Sequence, residues 1–230
     1  KCTAIRRCIV PEALMDSFEE SLVEALASHV VGNPLADGVT VGPVSTASQL
    51  RDGLAGIRQL AASGKIVVGS AERVDGRDSP MGKGYFIAPT VIRLPDGGPG
   101  PVHEIEVFAP NVSILPYDGT AGGAVTTLAR GQGSLVSSVY GDDRAWLGAV
   151  LAGAAPWLGR MLVCSSKVAD QVTAPGMVLP TCIHGGPGRA GGGEELGGER
   201  GLSFYMQRTS VQGDRVILGK LLGIEGSSNS

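Results

Sequence analysis

Helical and strand-like hydrophobic patterns alternate along most of this chain, and no other sequence feature constrains its fold as strongly. From Pro11 to Val30, apolar residues recur every four positions while acidic residues occupy the other faces, which predicts an amphipathic helix. Short runs rich in β-branched residues, typical of strands, alternate with further helical patterns downstream. This order predicts an α/β fold with an open, mostly parallel twisted sheet flanked by helices.

The same patterns predict the individual elements. Thr46 and Gln49 have the spacing of a capping box, so a second helix is expected to begin there and to end at Gly64. Pro89 lies within the strand-like segment 85–94 and indicates an edge strand or a bend. Further helices are predicted at 121–129 and 143–152, further strands at 66–68, 106–117, 135–140, 161–164 and 209–222, and loops at 75–84 and 184–201.

Composition and charge narrow the class of protein. The chain has 230 residues, of which 43% are hydrophobic and 18% charged, as in a soluble globular protein with a sizeable core. The net charge of −3 gives no broad cationic surface, which argues against nucleic acid or an anionic membrane as the main partner. The four cysteines are poorly spaced for a disulfide scaffold, and neither a signal segment nor a membrane-spanning run is seen, so we expect a cytoplasmic protein with reduced thiols.

Cys2 is a candidate nucleophile because cationic residues surround it in the sequence. Lys1 precedes the cysteine, and Arg6 and Arg7 follow it. Nearby positive charge lowers the pKa of a thiol and increases the fraction of nucleophilic thiolate. Taken alone, the pattern is weak, since an incidental or buried unreactive cysteine is the commoner case.

Glu106 and Phe108 are candidate ligand-binding residues. They stand two positions apart at the start of a predicted strand, so both side chains are expected on the same face. An ordinary strand with an exposed carboxylate is the alternative interpretation.

The glycine-rich segment does not predict a phosphate-binding loop. Residues 186–191 match the letters of a dinucleotide fingerprint, but Pro187 interrupts it and the acidic pair 194–195 would repel phosphate. We expect instead a tight irregular loop packed where only glycine fits. Cys182 and His184 nearby lack the paired spacing of a zinc site, so we predict a structural or pocket-lining role and no metal.

Taken in order, these segments resemble the catalytic domain of the aldehyde dehydrogenase superfamily. The segment around Cys2 is similar to that family's nucleophile motif, and the stretch that contains Glu106 and Phe108 is similar to its E-I/V-F-G-P motif, with Ala109 where glycine is usual. Residues 184–198 and 205–209 resemble the dehydrogenase part of bifunctional phenylacetic acid degradation enzymes. The matching segments are 1–7, 31–34, 42–43, 84–91, 106–110, 184–198 and 205–209.

The resemblance implies roles for individual residues. Cys2 would attack an aldehyde and carry the acyl group as a thioester, while Glu106 would hold the nicotinamide ribose of NAD or NADP and Phe108 would lie against the ring. Thr3, Cys182 and His184 would line the substrate pocket. The substrate would be an aldehyde, in the phenylacetate subgroup a ring-cleavage semialdehyde, with a CoA thioester as one option.

The resemblance also implies missing parts. The letters E-L-G-G at 195–198 spell the family's general-base motif, but they lie downstream of Cys2 and are not that base. The true base, the oxyanion asparagine and the cofactor fingerprint would precede Lys1, so the isolated chain is expected to be inactive.

Two alternative functions remain open, and the sequence also predicts how the chain divides into a domain, a strand and a tail. A CoA-acylating dehydrogenase would release the acyl group to CoA rather than to water, and a non-catalytic α/β fragment or interaction module would leave Cys2 incidental. We expect a catalytic domain at 1–208, an oligomerisation strand at 209–222 and a flexible tail at 223–230. An unpaired strand in that position, together with the resemblance, predicts a homo-oligomer.

Overall fold

Two sheets organise the protein in a computed structural model that describes residues 2–168, 171, 184–192 and 198–223. The larger sheet has the strand order β1-β4-β3-β2, with β1, β4 and β3 parallel and β2 antiparallel to β3. The smaller sheet pairs β5 with β6 in parallel. The predicted α/β class with a mostly parallel sheet is therefore confirmed. The strands are β1 (Arg7–Pro11), β2 (Lys65–Val68), β3 (Thr90–Arg93), β4 (Asn111–Tyr117), β5 (Ser134–Tyr140) and β6 (Leu158–Cys164).

Helices flank both sheets, and most of them lie where the sequence predicted. The α-helices are α1 (Met15–Ala27), α2 (Ala47–Ala61), α3 (Pro101–Glu104), α4 (Ala121–Ala129), α5 (Arg144–Ala154), α6 (Gly198–Phe204) and α7 (Arg215–Leu222). None of the helices in the described ranges is long and apolar enough to cross a membrane.

The N-terminus of α2 shows how local sequence fixes an element that later supports the site. Thr46 Oγ1 accepts a hydrogen bond from the Gln49 backbone N–H at 3.1 Å, as the capping pattern predicted. The Gln49 side chain accepts from the Ser45 N–H at 3.0 Å and donates to the Phe108 carbonyl, also at 3.0 Å. The cap therefore connects α2 to the segment that leads into β4.

The larger sheet is covered by apolar side chains on both faces. Successive residues of a strand point to opposite faces, and the neighbours Ile114 and Leu115 are both fully buried. Leu115 packs in the cluster that contains Ile57 of α2, and Ile114 packs in the cluster that contains Met15 of α1. Burial on both faces is typical of parallel sheets and explains the continuous apolar runs in these strands.

Two strand predictions need correction, and one strand was missed. Pro89 does not mark an edge, because β3 lies between β4 and β2; the strand begins at Thr90, so the missing proline N–H falls outside the ladder. The segment predicted as a strand from Glu106 is irregular up to β4, which begins at Asn111. The edge strand β1 was not predicted, since only three apolar residues separate Arg7 from Pro11.

The C-terminal strand predicted at 209–222 is also wrong, because residues 215–222 form α7. Asp214 caps this helix by accepting hydrogen bonds from the backbone N–H groups of Val216 and Ile217, each at 2.9 Å. Gly223 follows the helix with a positive φ of 65°. Residues 224–230, most of the predicted flexible tail, lie outside the described residues.

Candidate active site

Cys2 lies just before the edge strand of the larger sheet. Its side chain is exposed and its thiol is free. The next residue, Thr3, is buried with 6% of its surface exposed. The Ser113 N–H of β4 donates to the Arg6 carbonyl at 2.8 Å, so the backbone after Cys2 is bound to the sheet one residue before β1 begins. Cys2 therefore carries an accessible thiol a few residues before the backbone joins the larger sheet.

The structure brings His184 to the Cys2 thiol across 182 residues of sequence. Cys2 Sγ and His184 Nε2 are 3.8 Å apart, within the range of a hydrogen bond that involves sulfur. His184 is half-buried at the start of the segment 184–192, which we call the glycine loop. An imidazole nitrogen in this position can exchange a proton with the thiol or with an oxygen that forms on a bound substrate.

Glu106 and Phe108 are both exposed in the segment before β4. The Glu106 side chain is 53% exposed and Phe108 is 48% exposed, while Val107 between them is buried at 6%. The alternation expected of these residues is thus present although the segment is not a strand. Glu106 lies 3.9 Å from an Arg6 nitrogen, which places its carboxylate beside the chain that follows Cys2.

Arg6 and Arg7, the cationic residues that follow Cys2 in the sequence, contact other side chains in the structure. Arg6 pairs with Glu106, and Arg7 turns inward. Arg7 Nη1 donates to His103 Nδ1 at 2.8 Å and to the Thr127 carbonyl, and Nη2 donates to the Leu128 carbonyl, near the end of α4. Burial, followed by the charges of Arg6 and Arg189, lowers the pKa of Arg7 to about 10.

The glycine loop packs directly on the backbone that begins β5 and β6. A Cβ on Gly159 would collide with the Gly185 carbonyl oxygen, and a Cβ on Gly133 would collide with that of Pro187. Gly188 has a φ of +56° and contacts the Gln132 carbonyl closely enough to leave no room for a Cβ. These contacts agree with the prediction of a tight loop in which only glycine fits.

The family can now be assigned from comparisons with known proteins. The model of the aldehyde dehydrogenase family matches residues 1–211. The chain belongs to the aldehyde dehydrogenase family. It is 37% identical over 188 residues to 3,4-dehydroadipyl-CoA semialdehyde dehydrogenase of Aromatoleum evansii, covering 81% of this chain and 36% of that protein. It is 34% identical over 183 residues to protein MaoC of Klebsiella aerogenes, covering 79% and 52%.

Solved structures agree with the family assignment. The fold matches a point mutant of betaine aldehyde dehydrogenase of Staphylococcus aureus in complex with NAD⁺ with a TM-score of 0.74 and 25% identity, over 89% of this chain and 38% of that one. Lactaldehyde dehydrogenase of Escherichia coli shares the fold with a TM-score of 0.72 at 22% identity, over 90% and 39%. The chain thus spans between about a third and a half of the length of these four proteins.

Two residues of this aldehyde dehydrogenase chain escaped the sequence analysis although they join its parts. His103 is buried at 5%; since arginine can only donate, His103 Nδ1 accepts from Arg7, and Nε2–H donates to the Gly98 carbonyl at 3.0 Å. Burial and the charge of Arg7 lower the pKa of His103. Arg189 extends from the glycine loop to the carbonyls of His103 and Glu104. The one sequence signal for Arg189 is a long cationic side chain within a run of glycines.

The remaining observations concern Lys1, Cys182, metal binding and surface hollows. Lys1 and Cys182 lie outside the described residues. Within the described ranges, no group of three or more His, Cys, Asp or Glu side chains is arranged to hold a metal ion. Two shallow hollows of about 420 and 410 Å³ open beside Asp118 at the carboxyl ends of β1 and β4, at the opposite end of β1 from Cys2.

Proposed function

We propose that the protein containing this chain oxidises an aldehyde to a carboxylic acid, with Cys2 as the nucleophile and NAD or NADP as the hydride acceptor. The contact between the exposed Cys2 thiol and His184 is the observation that carries the proposal. The family assignment and the NAD⁺ bound to a structural neighbour support it.

The exposed residues Glu106 and Phe108 suit a nicotinamide cofactor. The Glu106 carboxylate has free acceptor capacity for ribose hydroxyls, because its contact with Arg6 is long and open to water. The half-exposed Phe108 ring presents an apolar face to a flat heterocycle. When bound, the cofactor supplies the site that accepts hydride. These two residues would therefore bind and orient it beside the thiol.

The chemistry of this chain's own residues follows from the Cys2 thiol. Sγ bonds to the aldehyde carbon, and the thiol proton passes to a base, for which the His184 imidazole is within reach. The C–H electron pair then leaves as hydride, and the acyl group remains on sulfur as a thioester. Attack by water on that carbonyl carbon breaks the C–S bond, releases the carboxylic acid and returns the thiol. Splitting the oxidation in this way replaces one difficult step by two easier ones.

A semialdehyde that carries a CoA thioester is the substrate class we favour. The 37% identical relative is a CoA semialdehyde dehydrogenase by name, and the match covers 81% of this chain. The alternative reaction transfers the acyl group from Cys2 to the thiol of free CoA. Product analysis separates the two, since hydrolysis yields a free carboxylic acid and acylation yields a new acyl-CoA.

Substitution of the nucleophile tests the proposal. In the full-length protein, Cys2→Ser is expected to lower kcat for aldehyde-dependent NAD(P)H formation by roughly 10³-fold or more, because the poorly ionised hydroxyl is a much weaker nucleophile. Cys8→Ala is the matched control: Cys8 is half-buried in β1, and burial raises the pKa of its thiol to about 11. A Cys2→Ser variant with the wild-type rate would contradict the assignment.

We also infer that the full-length protein is a homo-oligomer. The segment from α6 to α7 exposes large apolar side chains to solvent, and a contiguous exposed apolar surface is typical of an interaction site. A monomer by gel filtration with light scattering would contradict the inferred homo-oligomer. Two other expectations, a cytoplasmic location and a domain boundary at residue 208, stay predictions. The exposed residues are Leu202, Phe204, Tyr205, Met206, Val211, Val216, Ile217, Leu221 and Leu222.

A further inference from the structure

The Arg189 side chain connects the glycine loop to α3, whose His103 binds Arg7 of β1. Its Nη1 donates to the His103 carbonyl at 3.0 Å, and its Nη2 donates to the carbonyl of the next residue, Glu104. Two donors of one planar guanidinium on two successive carbonyls define both the distance and the orientation of the loop. Lysine, with a single charged nitrogen, cannot reproduce this fork.

The carbonyls of His103 and Glu104, which accept from Arg189, belong to a segment that other hydrogen bonds keep in place. His103 is buried at 5%, and its two ring nitrogens bond Arg7 and the Gly98 carbonyl. The His103 backbone N–H donates to the Gly100 carbonyl at 3.0 Å. Loss of the Arg189 side chain would thus release the loop and leave the anchor in place.

The main-chain hydrogen bonds of the glycine loop run within the loop itself and to the residue before β5. The Gly186 N–H closes the loop on the Gly191 carbonyl at 3.0 Å, and the Arg189 N–H donates to the Gln132 carbonyl at 2.8 Å, just before β5. In the described part of the chain, the guanidinium of Arg189 and the Cys2–His184 contact are the hydrogen bonds that join the loop to the region around β1 and α3.

We propose that Arg189 is a positioning residue that holds the glycine loop so that His184 faces the Cys2 thiol. The inference rests on the proposed function, in which Cys2 is the nucleophile and His184 is its neighbour. Arg189 follows His184 by five residues and lies within the turn 186–191, which the Gly186 N–H closes on the Gly191 carbonyl. A shift of the loop would therefore be passed to the imidazole.

A double-mutant cycle in the full-length protein tests this role. Arg189→Met is expected to lower kcat by about tenfold to a hundredfold, since misplacement of a group by about 1 Å has effects of that size. Arg189→Lys should restore little of the rate, and KM for NAD(P)⁺ should stay within about twofold. In a His184→Gln background, Arg189→Met should lower kcat by less than about twofold further, because residues that act through one another are not additive.

The control is Arg51→Met, which removes an exposed arginine of α2 that pairs only with its neighbour Asp52 among its described contacts. It should leave kcat unchanged. Equal losses from Arg189→Met with and without His184 would overturn the positioning role, and so would full activity in Arg189→Met or Arg189→Lys. These outcomes are distinct from failure of the proposed function, which would appear as an active Cys2→Ser enzyme.

Discussion

The two sides of the candidate active site are held by different kinds of force. Cys2 extends from β1, whose sheet is covered by apolar side chains on both faces, with Ile114 and Leu115 fully buried. His184 extends from a loop held by close backbone packing of glycines and by the guanidinium of Arg189. Hydrophobic burial is sensitive to the removal of atoms, whereas the contacts of Gly133, Gly159 and Gly188 with carbonyl oxygens leave no room for an added one.

Because of this difference, we expect the two regions to respond differently to substitutions that remove atoms and to those that add them. Removing atoms should harm the larger sheet, because cavities lose both burial and packing energy. Adding atoms should harm the glycine loop, because its neighbours are main-chain atoms that cannot move aside. Around α7 neither change should matter, since Val216, Ile217 and Leu221 of that helix are all exposed.

The largest effect on stability is expected from truncation in the larger sheet's core. Ile57→Ala in α2 should lower the free energy of unfolding by about 2–5 kcal/mol, because Ile57 is fully buried between α2 and the strands. Ile217→Ala in α7 removes the same atoms at a site that is 60% exposed in the chain, so the chain's own packing should contribute no more than about 0.5 kcal/mol to the loss of unfolding free energy. Urea unfolding of the full-length protein measures both.

The outcome for Ile217 also sharpens the comparison. A loss above about 1 kcal/mol that grows as the protein is diluted would show that a partner subunit covers α7 and would support the homo-oligomer. A loss of that size at every concentration would mean that α7 is part of the chain's own core, which would contradict the structure.

Sequence patterns predicted the elements whose boundaries are set by local chemistry. The helix expected at 121–129 is α4, and Thr120 caps it by accepting from the Gly123 N–H at 2.9 Å. The strand β1 was missed because its place depends on pairing with β4, about a hundred residues away. The helix α7 was mistaken for a strand because alternating apolar residues outweighed the cap at Asp214.

The site was also predictable only in part, because some of its contacts join residues that are far apart in the sequence. The resemblance to aldehyde dehydrogenases selected Cys2 and His184, and the structure places them 3.8 Å apart. The network of Arg7, His103 and Arg189 joins residues 96 and 86 positions apart, a separation at which periodicity and spacing carry no signal. Such contacts depend on how the sheets and loops pack and not on any local preference.

A smaller effect is expected from adding one methyl group beneath the glycine loop. Gly159→Ala in β6 should lower the free energy of unfolding by about 1–3 kcal/mol, because its Cβ would meet the Gly185 carbonyl and force the loop away. Gly148→Ala in α5 adds the same atom in open space and should raise the free energy by about 0.5–1 kcal/mol through helix propensity. Urea unfolding compares the pair, and equal effects of the two substitutions would contradict the tight packing of the loop.

The smallest expected effect is the pH dependence that His103 adds. Burial and the Arg7 charge lower the pKa of His103 in the folded protein below its value in the unfolded chain, near 6.5. Between the two pKa values the unfolded state binds more protons, so stability present above about pH 6.5 should be lost as the pH falls through the folded pKa. Because His103→Gln removes this titration, the wild type should lose more of its free energy of unfolding between pH 8 and pH 5 than the variant does. Equal losses, measured by urea unfolding at both pH values, would show that the hydrogen bond from Arg7 to His103 does not depend on a neutral imidazole.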